Sequence, residues 1–307
     1  MATRLLRSDA LVENHGQLTK AAADHLSDVH YLAIARLPEG ADQGIDSYLR
    51  QLRRRLAALA LSSYKEVRNV SVDKAASHIR AAQGRPGATI IMTPDNALDA
   101  LLAVLAEDPN RDGDGMTPEG LALRWPATTR SIRGLAESEV GPLKNFDPAR
   151  IAVVGSKGEV QTGVLAYLAQ DGIFPGRLID KHNTAEELPN LHRNADLVIS
   201  ATGVAGLLTA GALLRQRSDG QNARPITVID AGVSLNPKTG MTHGDVDPFL
   251  YTYAGKQELV ITPAPVLFPD GHAARNGRGV GALTVDEYIA GGVRPVARPL
   301  AVTATVS

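Results

Sequence analysis

Apolar positions along the chain follow two rhythms. Short unbroken runs at residues 30–37 and 88–92 close on Pro, Glu or Gly and read as buried strands. Between them, Ile45, Tyr48, Leu49, Leu52, Leu56 and Leu59 recur at helical spacing with Arg50, Arg53, Arg54 and Arg55 interleaved, which predicts one amphipathic helix over about 43–60. Weak alternation over 66–72 predicts a second strand, Asp73 caps a helix to about 83, and 96–107 reads as another helix. Strands separated by helical crossovers imply a parallel sheet covered by helices.

The second half repeats the rhythm. After a loop centred on Trp125 and Pro126, a helix over about 130–140 leads to an apolar strand at 150–155 and a helix at 160–170. Further strands are predicted at 176–180, 197–201, 228–230 and 259–262, each ending in a turn of Gly, Thr or Pro, and a last helix at 286–291. Five such strands describe a doubly wound, Rossmann-type α/β domain.

At 307 residues the chain is long enough for two domains with separate cores. Thirty-two basic against thirty-three acidic residues argue against a protein built to hold nucleic-acid phosphates or an anionic membrane surface. The absence of cysteine excludes disulfides, thiolate metal sites and a cysteine nucleophile. His25, His30, His78, His192, His243 and His272 are dispersed, so no metal site is expected. With no apolar window of about eighteen residues and no apolar leader, the expected location is cytoplasmic, without membrane association.

Candidate chemistry begins at Gly155-Ser156-Lys157-Gly158. A glycine directly after a buried strand lets backbone N–H groups approach a pyrophosphate at the next helix N-terminus. Gly155, Gly158 and Gly163 do not make a full G-x-G-x-x-G, and an ordinary strand-to-helix turn is an equal reading. Asp180, twenty-five residues after Gly155, stands near where an acidic residue holds a ribose hydroxyl; Lys157, Lys181 and His182 pull toward a 2′-phosphate. NAD and NADP both stay open.

Further segments resemble one family, the methylenetetrahydrofolate dehydrogenase/cyclohydrolases. Asp108-Pro-Asn-Arg-Asp112-Gly-Asp114-Gly115 is similar to the family's D-P-x-K-D-V-D-G, and Pro126-Ala-Thr128 to its P-C-T. Val228-Ile-Asp230-Ala-Gly232 followed by Gly244-Asp245-Val246-Asp247 resembles V-I-D-V-G and G-D-V-D. Ile261-Thr-Pro263-Ala-Pro265 and Val280-Gly281-Ala-Leu-Thr284 resemble T-P-V-P and V-G-P-M-T. The order holds from about residue 30 to 290.

The resemblance implies hydride transfer from 5,10-methylenetetrahydrofolate to NAD or NADP, with NADP slightly favoured, and a homodimer formed through the dinucleotide domain. It implies a catalytic domain of residues 1–136 completed by 284–307, a Rossmann domain of 137–283, and folate bound in the cleft between them. Tyr48 and Asp114 would position the pterin, with Leu52, Met92, Asp112, Pro263, Gly281 and Thr284 around the substrate. On the nucleotide side the resemblance adds Asn183, Thr202, Gly203, Val204 and Gly232 to Gly155, Ser156, Lys157, Gly158, Asp180 and His182. For Tyr48 the alternative is a core tyrosine with a satisfied hydroxyl, and for Asp112 and Asp114 a pair of turn residues.

Two departures fall in one site. The family's second activity, hydrolysis of the methenyl product, depends on a lysine in Y-V-x-x-K and a glutamine in Q-L-P. Leu52 stands at the lysine and Met92 at the glutamine. Hydride loss from a carbon between two nitrogens is driven by a nitrogen lone pair and mainly needs two rings oriented. Water attack and ring opening need proton transfers, for which leucine has no group. Dehydrogenase activity is therefore expected, with cyclohydrolase activity lost or weak. The same losses also fit a catalytically silent folate- or nucleotide-binding homologue, and a dehydrogenase on another one-carbon carrier is a third reading. Residues 266–279, longer than the family's glycine pair, are expected to be a surface insertion or a lid.

Overall fold

The computed structural model describes residues 8–26, 28–38, 40, 43–61, 63–93, 96–213, 226–232, 234–235, 242–247, 250, 259–262 and 280–293. Pro263 and the 266–279 segment lie outside them. The chain divides into two units, one of residues 13–130 with the segment from Thr284, the other of residues 131–283 with the first twelve.

The first unit is built on a parallel sheet in the order β2 (Ser63–Arg68), β1 (His30–Ala35), β3 (Thr89–Met92). Parallel neighbours need crossovers, supplied by α2 (Gln43–Ala58) and α3 (Val72–Ala82). Every residue of β1 is buried because both faces are covered. Tyr31, Ala33 and Ala35 point to Leu49, Leu52 and Leu56 of α2, while Leu32 and Ile34 point to Ile79 of α3 and Leu101 and Leu105 of α4 (Ala97–Leu105).

Near the start of the chain, β2 and α1 differ from the sequence reading. β2 begins at Ser63 rather than 66 and ends at Arg68, because Lys65, Glu66 and Arg68 make a polar edge strand that no apolar run marks. α1 (Ser8–Ala23) was not anticipated; His15, Thr19 and Ala23 are buried, and a polar, small inward face carries no apolar period.

α5 (Pro118–Leu123) follows in the loop region, and α6 (Ala127–Val140) carries the chain from one unit into the other, starting three residues earlier than expected. The second unit holds a five-stranded parallel sheet in the order β10 (Leu259–Thr262), β7 (Ile226–Asp230), β6 (Leu197–Ser200), β4 (Ile151–Val154), β5 (Arg177–Ile179). Ile151, Leu197, Ile199 and Ile229 pack with Ile132, Leu135, Val164 and Leu168; Val154, Val198 and Val228 pack on the opposite side with Leu191, Leu208 and Leu213. This is a doubly wound α/β sheet. Helices α7 (Glu159–Gln170), α8 (Thr184–Glu187), α9 (Leu191–Asn194) and α10 (Ala210–Leu213) connect its strands, and a two-stranded ribbon joins β8 (Ser234–Leu235) to β9 (Thr242–His243). The last helix, α11 (Val280–Gly291), begins six residues before the predicted start, within the V-G-A-L-T segment. Among the described residues no helix is long and apolar enough to cross a membrane.

Candidate functional site

In the first unit α2 presents its apolar face to the sheet, and Tyr48 sits at the edge of that face. Leu49, Leu52 and Leu56 are in the core; Tyr48 is half-buried against it, together with Tyr64, Met92 and Met116. The Tyr48 hydroxyl is buried and has no hydrogen-bond partner among the described residues. Burial, and next the nearby Asp114 carboxylate, push its pKa well above the ordinary tyrosine value. Asp114 accepts one hydrogen bond at Oδ1, from the Ala127 N–H at 2.8 Å. Burial raises the Asp114 carboxyl to about 6, against the pull of that N–H and the Arg130 charge. A buried phenol with an unused hydroxyl beside a carboxylate of raised pKa is arranged to take a polar ligand.

Other residues expected around a substrate have different work. Leu52 is fully buried in the core between α2 and the sheet. Asp112, also fully buried, accepts from the Met116 N–H at 3.0 Å and from the Thr117 N–H and hydroxyl at 2.7 and 2.9 Å. Its carboxylate builds the turn into α5. Arg111 beside it donates to the carbonyls of His30, Arg85, Pro86 and Ala88, pinning the loop to the start of the sheet. Thr284 is buried within α11, and Gly281 lies in the first turn of that helix. The arginines of α2 diverge: Arg53 pairs with Glu66 at 3.0 Å, whereas Arg55 turns inward and grips Asp286 with Nε and NH2 at 2.5 and 2.8 Å.

In the second unit the turn after β4 lies at the point where strand order reverses, since β5 flanks β4 on one side and β6 on the other. Gly155 has φ +86°, and a Cβ there would sit 2.9 Å from the Ala201 carbonyl, so only glycine lets the two turns approach. The Gly155 and Ser156 N–H groups both donate to the Ile179 carbonyl, at 2.7 and 3.1 Å. In this structure both N–H groups are thus turned to the end of β5. The donors left for a phosphate belong to the start of α7, which Gly158 leads.

At the end of β5, Asp180 pairs with Lys157 at 2.7 Å and accepts from the His182 N–H at 2.7 Å. Lys157, and next the His182 N–H, hold its carboxyl below the ordinary range. Asn183 braces the same turn, accepting from the Asp180 N–H and donating to the Leu178 carbonyl. Gly203, at φ +67°, and Val204, half exposed, follow Thr202 at the mouth of β6.

The two motifs around Asp230 and Asp245 form one buried device. Asp230 accepts from the N–H groups of Gly232, Asp245 and Val246 at 3.0 to 3.1 Å. Asp245 Oδ2 accepts from the Ser200 hydroxyl and the Thr202 N–H, both at 2.6 Å. Gly232 is needed for Asp245 to fit, which accounts for it without a cofactor contact.

Sequence reasoning missed several polar residues. Gln161 is fully buried and its amide bridges the Val154 and Ile199 carbonyls, tying β4 to β6. Arg130, Glu287 and His15 make a partly buried polar chain. None lies in a recognisable motif; only a charged residue at an inward helical position hints at such a role. Among the described residues no group of three His, Asp or Glu stands where it could hold a metal ion.

No protein-family model matches the chain. The chain is 31% identical to the bifunctional protein FolD of Lactobacillus acidophilus over 185 residues, 58% of this chain and 54% of that relative, so the match spans about half the relative's length. It is 24% identical to the bifunctional protein FolD of Lactobacillus helveticus over 258 residues, 80% of each. Among solved structures it is similar to the bifunctional FolD methylenetetrahydrofolate dehydrogenase/cyclohydrolase of Campylobacter jejuni, with a TM-score of 0.69 and 18% identity over 95% of this chain and 98% of that one. It is also similar to the Trypanosoma brucei methylenetetrahydrofolate dehydrogenase-cyclohydrolase complexed with NADP and an inhibitor, with a TM-score of 0.67 and 18% identity over 93% of each chain. The chain thus shares their fold.

Proposed function

We propose that this chain is a divergent member of the methylenetetrahydrofolate dehydrogenase/cyclohydrolase family. It oxidises 5,10-methylenetetrahydrofolate to the 5,10-methenyl form with NAD or NADP and lacks useful cyclohydrolase activity. The observation that carries the reading is the buried Tyr48 hydroxyl beside Asp114, unpartnered among the described residues; these are the two residues that the resemblance assigns to the pterin.

The second unit fits a dinucleotide. A glycine turn at the switch point, a helix start led by Gly158, and Lys157 with Asp180 at the adjacent strand end are groups for a pyrophosphate and a ribose. When bound, the nicotinamide accepts the hydride. The residues of this chain orient and discriminate. Ionised Asp114 accepts hydrogen bonds from pterin N–H groups, and Tyr48 donates its proton to a ligand acceptor. The methylene C–H bond breaks with both electrons leaving as hydride, and a ring-nitrogen lone pair fills the vacancy, so no protein base is consumed. Ring opening of the product needs a group that moves protons, and Leu52, inside the core, supplies none.

The test is spectrophotometric reduction of NAD and of NADP with methylenetetrahydrofolate, beside hydrolysis of methenyltetrahydrofolate. Reduction without hydrolysis above the buffer rate supports the proposal; hydrolysis well above it overturns the second half. Binding of folate and nucleotide without turnover would replace the enzyme by a ligand-binding homologue. The resemblance further implies a homodimer. Phe174, 68% exposed, and Leu178, 48% exposed on edge strand β5, are apolar surface that a second copy would cover. Phe174→Arg is then expected to shift the sedimentation coefficient toward a monomer.

A further inference from the structure

A partly buried polar chain runs from α1 through α11 to the loop that carries Asp114. His15 Nε2 and Glu287 Oε1 are 2.6 Å apart. Glu287 Oε2 accepts from Arg130 Nε at 2.8 Å, and the Glu287 backbone carbonyl accepts from Arg130 NH2 at 2.7 Å. The same guanidinium donates to the carbonyls of Trp125 and Gly113. Gly113 immediately precedes Asp114, and Trp125 lies two residues before Ala127, whose N–H binds the Asp114 carboxylate. One planar side chain therefore fastens both sides of the Asp114 loop to α11. Arg124 adds a second tie, donating to the Gly291 carbonyl at the end of the same helix.

Arg130 and Glu287 expose only 16% and 17% of their side chains. A buried ion pair adds little stability over apolar packing of the same volume. A guanidinium fork does what apolar groups cannot, holding carbonyls at fixed spacing while placing a positive charge beside them.

We infer that Arg130, oriented by Glu287 and His15, is a positioning residue that holds Asp114 at the geometry and charge a pterin requires. The identity of the ligand rests on the proposed function; the coupling of Arg130 to Asp114 does not. Charged or titratable groups facing Asp114 are Asp112 on its own loop, Arg130 from α6 and the Tyr48 phenol from α2. Those facing Glu287 are His15 from α1 and Arg130, with the Arg55–Asp286 pair alongside. Arg130 opposes the burial that drives the Asp114 carboxyl upward.

The experiment uses the full chain with Arg130→Met, Arg130→Lys and Glu287→Gln. Its readouts are the Asp114 side-chain carboxyl titration by carbon NMR, KM and kcat with methylenetetrahydrofolate, and thermal denaturation. Arg130→Met is expected to move the Asp114 midpoint up by about one pH unit, the low end for loss of a near opposite charge. KM should rise on the order of tenfold with kcat within about twofold. Arg130→Lys keeps the charge without the fork, so the midpoint stays and KM rises. Should Arg130→Met fail to fold, Glu287→Gln decides by the same readouts, with a higher KM expected. An unmoved midpoint in Arg130→Met, or lower stability with unchanged KM in all three, overturns the inference. If the wild-type protein neither binds nor oxidises methylenetetrahydrofolate, the folate reading fails, and the Asp114 titration alone decides the coupling.

Discussion

A Cβ placed on Gly232 would lie 1.9 Å from Asp245 Oδ1. The close approach lets Asp245 reach the Ser200 hydroxyl and the Thr202 N–H at the mouth of β6. Gly232→Ala should therefore destabilise the second unit at the upper end of the roughly 1–3 kcal/mol that overpacking costs. Urea denaturation with a probe in that unit measures it; a change below about 0.5 kcal/mol, within the range of a neutral surface substitution, would show that the turn yields.

Tyr48→Phe separates stability from function. The hydroxyl it removes has no partner among the described residues, and a buried unsatisfied donor costs about 1–3 kcal/mol. The variant is expected to gain about 1 kcal/mol in the absence of ligand while kcat/KM for methylenetetrahydrofolate falls. A loss of stability would mean that the hydroxyl is bonded within the protein.

Leu52→Lys tests whether the lysine that the resemblance places at this position can be accommodated. The position is fully buried among Leu49, Leu56 and Tyr31. A lysine there must bury its ammonium or give up its proton, at a cost on the order of 4 kcal/mol. Thermal melting is expected to drop by many degrees with no hydrolysis of methenyltetrahydrofolate gained. A stable variant with restored hydrolysis would show that the core reopens around the side chain.

Two carboxylates should leave opposite marks on the pH dependence of stability. Glu287 is depressed to about 2: burial works against this, while His15 and Arg130 lower it. Its contribution is complete above the ordinary glutamate range and is lost as pH falls through about 2, so Glu287→Gln should flatten the acid limb, by on the order of 3 kcal/mol. Asp114 is raised to about 6, chiefly by burial. Its ionisation is favoured in the unfolded chain, so stability falls as pH rises from the ordinary aspartate value through about 6. Asp114→Asn should remove that decline. Denaturation midpoints across this range decide both cases.

The arrangement of strands and helices was largely written in the apolar pattern. Runs such as Ile151–Val154 can be buried only between two layers of helices, and the period of α2 fixes which of its residues meet the sheet. Motif order singled out Tyr48, Asp112 and Asp114 as candidate residues, and carried Asp230 and Asp245 only as parts of two matching segments. Their division of labour depended on contacts between distant segments. Asp112 and Asp114 stand two apart in one motif, yet one closes a turn through Thr117 and the other keeps an oxygen beyond its single bond to Ala127. Gly155 reads as a phosphate turn, but its N–H is spent on Ile179, a strand away. Arg130, Glu287 and His15 are separated by up to 272 positions and meet only when α1, α6 and α11 close on one core. Local pattern determines which residues are buried, because burial follows the period of each element. Tertiary structure decides which polar groups are satisfied and which are left for a ligand, because that depends on partners brought from elsewhere in the chain.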